Sequence, residues 1–194
     1  MRNSKYILSL LLLAAVSATA QVLERSSPNC SPEAQERARA GVERNDATSI
    51  YLMARYYSTG KCLPGDGQKA IEHYWKAAKL NYPPAYYNLG IVSAGNKDYE
   101  SAELLFFRGT QLGHRGAELQ LGILYSLVPP PIGNDEKAFA WLSVTVNRNE
   151  AISGEAKESL ATVTRRMDAS SRERAEALYR GLNDKYGLVP AFSQ

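Results

Sequence analysis

The sequence predicts an all-α chain in which a two-helix unit is repeated three times, an α/α superhelical solenoid with a helical cap at each end. Three observations predict it. Helical stretches led by alanine recur in order: Ala85 opens AYYNLGIV, Ala102 opens AELLFFRGTQLG, Ala117 opens AELQLGILY and Ala138 opens AFAWLSVTVNRN. Equivalent positions Ser49, Ala85 and Ala117 are 36 and 32 residues apart, and a period in the thirties with paired helices is the mark of a helical solenoid. The second helix of every unit is preceded by a capping residue in register, Asp66, Asp98 or Asn134, four places before its alanine.

The first twenty residues read as a targeting segment rather than fold. Arg2 and Lys5 are followed by an apolar run from Tyr6 to Val16 and by Ala18-Thr19-Ala20, a small-residue cleavage pattern. The run is short for a bilayer span, which needs roughly 20 residues; an uncleaved anchor is the alternative. Cleavage after Ala20 predicts an exported chain, periplasmic or secreted, with no stable membrane insertion. Of 194 residues 174 then remain, enough for one domain with its own core. Removing Arg2 and Lys5 from 23 basic residues leaves 21 against 20 acidic, a net charge of about +1. With no Lys/Arg run longer than two, nucleic acid is excluded as an expected partner.

Residues 21–31 carry no periodicity and read as a linker. Ser31 before Pro32 is a helix start, a cap followed by proline at the first helical position, so Pro32–Glu43 should be a helix. Its thin apolar content, Ala34, Ala38 and Val42, suits an end helix with one wet side. Cys30 and Cys62 are the only cysteines, and an even count in an oxidising compartment favours a disulfide, with two free thiols as the alternative. Closing that loop of about 33 residues contributes roughly 3.5 kcal/mol by chain entropy. The two histidines, His73 and His114, lie far from either cysteine, so no metal site and no cofactor are expected.

Three units follow, at about residues 46–84, 85–116 and 117–150. Small residues (Ala54, Gly90, Gly122) fall mid-way along each first helix, each after a large apolar one (Met53, Leu89, Leu121). A glycine inside a helix costs about 1 kcal/mol relative to alanine, so two in register imply close approach of a neighbour. His73 aligns with Leu105 and Trp141 and is expected to be core-packed rather than a base. Gly65-Asp66-Gly67 falls where the first unit changes helix and reads as a loop with an N-cap. The third unit carries an inserted loop, Val128–Gly133, whose three prolines stiffen a connector. Two more helices close the chain as a cap over residues 151–186. Gly154–Arg166 carries Ala156, Leu160 and Val163 on one face; Ser170–Tyr186 carries Ala175, Leu178, Leu182 and Tyr186. Residues 187–194 read as a tail, so residues 32–186 form the one expected domain.

These residues resemble the Sel-one-like repeat (SLR) family, a relative of the tetratricopeptide repeat. Its pattern runs A-x-x-x-L-G-x-x-Y-x-x-G, then D-x-x-K-A, a W/Y pair, K-A-A and G. Ala85-Leu89-Gly90, Ala117-Leu121-Gly122-Tyr125, Tyr57-Gly60, Lys76-Ala77-Ala78 and the pair Ala138 and Trp141 match it. The first unit departs with Ser49 and Met53-Ala54; the second has Ser93, a shortened loop and Arg108-Gly109-Thr110. The resemblance covers about residues 46–150 and implies a solenoid used for protein interactions. Related solenoids line a concave groove with first-helix residues four apart, here Tyr51 and Arg55, Tyr87 and Ile91, Leu119 and Ile123. By resemblance these six would face a protein or peptide partner; the alternative is that the stripe packs internally against the C-terminal hairpin.

No G-x-S-x-G, H-E-x-x-H or glycine-rich phosphate loop is present, and catalysis is not expected. Some members of the family are described as β-lactam binding or hydrolysing, but no serine-lysine pair here would carry that reaction. The expectation is a monomeric scaffold binding a protein or peptide. An inhibitor or immunity-type protein that blocks a toxin or envelope hydrolase is the alternative.

Overall fold

The computed structural model of the chain describes residues 28–148 and 153–186. The expected export signal, most of the linker, residues 149–152 and the tail from 187 lie outside them. The described residues are all-α, with nine helices and no strand among them: α1 Pro32–Glu43, α2 Ala47–Thr59, α3 Gly67–Lys79, α4 Pro83–Gly95, α5 Tyr99–Gln111, α6 Arg115–Leu127, α7 Asp135–Arg148, α8 Ser153–Arg166 and α9 Ala169–Tyr186. The chain divides into two compact units, one up to Ile91 and one from Val92 onward.

Local chemistry sets the helix starts. Ser31, Asp46, Asp66, Asp98, Asn134 and Asp168 each accept a first-turn N–H on a side-chain oxygen at 2.7–3.2 Å. The three caps that the repeat register requires, Asp66, Asp98 and Asn134, are all in use. The fifth repeat helix, α6, is capped differently: His114 Nδ1 accepts the Ala117 N–H at 3.2 Å. Gly60, at φ +65°, ends α2 in the left-handed conformation that a side chain disfavours.

In the first unit α2 packs on α1 and α3. Ala38, Met53 and Tyr56 form a buried cluster, with Val42, Leu52, Tyr57, Cys62 and Leu63 against it. The segment before α1 is tied to this core. Cys30 and Cys62 are joined with Cα atoms 4.9 Å apart, and the wholly buried Tyr56 donates its hydroxyl to the Asn29 carbonyl at 2.9 Å. His73 departs from the expectation of a core slot: it is only half-buried. Its Nδ1–H donates to the Lys69 carbonyl at 2.8 Å and its ring lies 5.5 Å from that of Tyr57. The neighbouring Tyr74 takes the buried position, because the packing face of α3 runs through Ala70, Tyr74, Ala77 and Ala78.

In the second unit α6 packs on α5 and α7, and the last two helices pack on α7, with α8 also reaching α6. Ala140 and Val144 of α7 meet Tyr179 of α9, with Leu182 alongside. The sequence placed Leu178 on that face, but the face runs through Ala175, Tyr179 and Asn183, leaving Leu178 exposed. Arg166, in the last turn of α8, is engaged beyond its own helix: its Nη2 donates to the Ser126 carbonyl at 3.1 Å and to Asp135 at 2.5 Å. Glu118 is buried and ion-paired to Arg148, while its second oxygen has no protein partner among the described residues. Burial raises its pKa, against the pull of Arg148 and Arg115.

Candidate functional site

The first-helix residues expected to line a binding surface are not exposed. Tyr87, Leu119 and Ile123 are buried, and Tyr51, Arg55 and Ile91 are half-buried. In the first unit Tyr51 sits in an aromatic cluster, its ring 5.0 Å from Tyr82 and 5.7 Å from Tyr74, and its hydroxyl accepts from Asn88 Nδ2 at 3.1 Å. Burial pushes the Tyr74 phenol up to about 12, only partly offset by its hydrogen bond with Ser58. In the second unit Leu119 and Ile123 stand on α6, the helix that α8 reaches.

A groove open to solvent lies elsewhere, against the second helices of the last two repeats. Three helices of the second unit, α5, α7 and α9, enclose a groove of about 920 Å³. On α5 the buried stripe is Ala102, Leu105, Phe106 and Gly109, which leaves Leu104 and Phe107, one turn apart, to face outward. Leu104 is 71% exposed, unusual for so large an apolar side chain. On α7 Ala140 and Trp141 form the floor, with Trp141 edge-on to Phe107 at 6.3 Å. On α9 the lining residues Arg174, Ala177, Leu178, Gly181, Leu182 and Lys185 follow one helical stripe.

Four of the five charged residues of the lining, all but Lys185, pair with one another. Lys137 Nζ lies 3.3 Å from Glu103 and 4.9 Å above the Tyr125 ring, and the Tyr125 hydroxyl donates to Glu103 at 2.6 Å. Arg174 contacts Glu136 at 2.6 Å. Burial, then the Glu103 hydrogen bond and charge, raise the Tyr125 phenol far above its usual range, so it stays a donor. Among the described residues no group of three or more His, Cys, Asp or Glu is placed to hold a metal ion. The arrangement is suited to holding an apolar surface.

Sequence reasoning missed the groove, although one signal pointed to it. In the run Leu104-Leu105-Phe106-Phe107 only two of four large residues can share a buried helical stripe, so two must face elsewhere.

No curated protein matches the chain by sequence. Among solved structures it is similar to a protective antigen present in uropathogenic Escherichia coli strains displaying an SLR fold (18% identity, 79% of this chain, TM-score 0.44). The chain spans 41% of that antigen's length. It is also similar to a Sel1 repeat protein from Oxalobacter formigenes (21% identity, 82% of this chain and 74% of that one, TM-score 0.49). A third is an immunity protein from Pseudomonas aeruginosa (19%, 84% and 80%, TM-score 0.37). The family model of the Sel1 repeat matches three times, at residues 47–82, 83–114 and 116–143. Those segments hold the three helix pairs α2–α3, α4–α5 and α6–α7, with the in-register caps and small residues described above, and the chain is therefore a Sel1-repeat protein.

Proposed function

We propose that the chain is an exported interaction scaffold that holds a protein or peptide segment in the groove between α5, α7 and α9. The observation that carries this reading is the groove itself. It combines apolar walls and floor from Phe107, Trp141 and Leu178, a largely bare Leu104 at its edge, and charges at the rim. Aromatic floors ringed by polar side chains are where interface energy concentrates. Export is supported by the Arg2/Lys5 start, the apolar run Tyr6–Val16, the Ala18-Thr19-Ala20 pattern and the Cys30–Cys62 pair, which suit a periplasmic or secreted protein. No helix among the described residues is long and apolar enough to cross a membrane.

The test is affinity capture from the chain's own envelope extract, run in parallel with a Leu104→Lys variant, and identification of the retained proteins by mass spectrometry. The expected result is a partner held by the native chain and lost by the variant. Retention of the same proteins by both would remove the groove as the binding surface. Finding the uncleaved chain retained in the cytoplasm would overturn export.

A further inference from the structure

Taking the groove as the binding surface, we propose that its occupant is an amphipathic helix with an apolar stripe and uncharged flanks. Three features of the walls select it.

The first is charge. Glu103 is engaged by Lys137 and Tyr125, and Glu136 by Arg174, so both carboxylates of the lining already hold their bases; Lys185, itself engaged, is the one charge beyond these pairs. A charged segment seated here would lose water against Leu104, Phe107 and Trp141 and find its counter-charge already engaged. An uncharged one leaves the rim pairs in place.

The second is the backbone. All three principal walls are helices, whose N–H and C=O groups are satisfied along their own axes. An extended segment pressed into the groove would meet no row of backbone donors and acceptors, and its own would go unpaired. A helix brings its hydrogen bonds with it.

The third is length. Along α9 the lining runs from Arg174 to Lys185, about 16 Å at 1.5 Å per residue, or three helical turns. That accommodates large apolar side chains at i, i+4 and i+7, the stripe of a helix lying in a groove.

The experiment measures fluorescence anisotropy of labelled peptides against the protein purified from expression of the full chain, at low and high salt. One peptide is a helix with leucine at i, i+4 and i+7 and flanks of Gln, Ser and Ala. Two others carry Glu or Lys flanks, a fourth is a proline-broken apolar peptide, and a fifth is the chain's own residues 187–194. The uncharged helix is expected to bind at least about tenfold tighter than the others, with less than about a twofold change across the salt range, because no counter-ions are released. Leu104→Lys and Leu178→Glu alter exposed side chains and should each weaken it at least about tenfold at unchanged Tm. Tighter binding of a charged peptide, with steep salt dependence and loss in both variants, would overturn the uncharged occupant while leaving the groove as the binding surface. A win for the proline-broken or the 187–194 peptide would overturn the helix in the same way. A concentration-dependent dimer that Leu104→Lys abolishes would make a second copy the occupant. Equal binding by native chain and variants would bring down the groove reading itself.

Discussion

Gly122 on α6 lies directly against Leu142 on α7: a methyl group on its Cα would stand 2.6 Å from Leu142 Cγ and 3.1 Å from the Leu142 amide nitrogen. Leu142 is wholly buried and has no room to retreat. Gly122→Ala gains about 1 kcal/mol of helix propensity but forces apart a close-packed pair, which costs about 1–3 kcal/mol. Net destabilisation in urea unfolding is expected. Gly181→Ala on α9, with nothing within 4 Å of the added methyl, should stabilise by about 0.5–1 kcal/mol.

His114 should make stability depend on pH. Burial lowers its folded pKa from 6.5 to about 4, and its unprotonated Nδ1 caps α6. Between those values the unfolded state binds the proton and the folded state does not, so this contribution is complete above about pH 6.5 and is lost as pH falls toward 4. Glu118, whose pKa is raised, acts in the opposite sense, so the effect is read as native minus variant. His114→Asn keeps a cap and should lose less Tm than the native chain between pH 7 and 4.5. Equal slopes would refute the assignment.

Arg148→Met should cost more than Glu118→Gln. The first strands a carboxylate that is about 1% exposed; the second removes the charge itself. Breaking one side of a buried pair typically costs about 3–5 kcal/mol, whereas removing the buried charge costs less. Denaturant midpoints of the two variants decide the order.

The Cys30–Cys62 bridge closes a 32-residue separation, and replacing both cysteines by alanine should destabilise the first unit by about 3–4 kcal/mol. Hydrogen exchange should rise first in α1, which the bridge fastens to the α2–α3 loop.

Tyr51→Ala should lower Tm clearly, because it removes a ring packed on Tyr74 and Tyr82 and leaves Asn88 without one partner. Binding at the α5–α7–α9 groove should be unchanged. A binding loss at unchanged Tm would return the first-helix stripe to the role expected of it.

The sequence by itself determined the features that act over one or two helical turns. The caps Asp66, Asp98 and Asn134, the Ser31-Pro32 start, the bounds of α1 and the close approach at Gly122 could be read there, since each depends on neighbours three or four residues away or on a repeated register. Exposure was decided only by the tertiary structure. His73 and Tyr74 are adjacent, and only the packing of α3 showed which one is buried. Leu119 and Leu104 look alike as apolar residues on amphipathic helices, yet one is buried and the other is 71% exposed. What separates them is the placement of helices remote in sequence: α8 reaches α6, while α9 stands off α5 across a groove. A helix's period tells which residues share a face; whether that face is covered is a sum over every element packed near it, and no local pattern holds that sum.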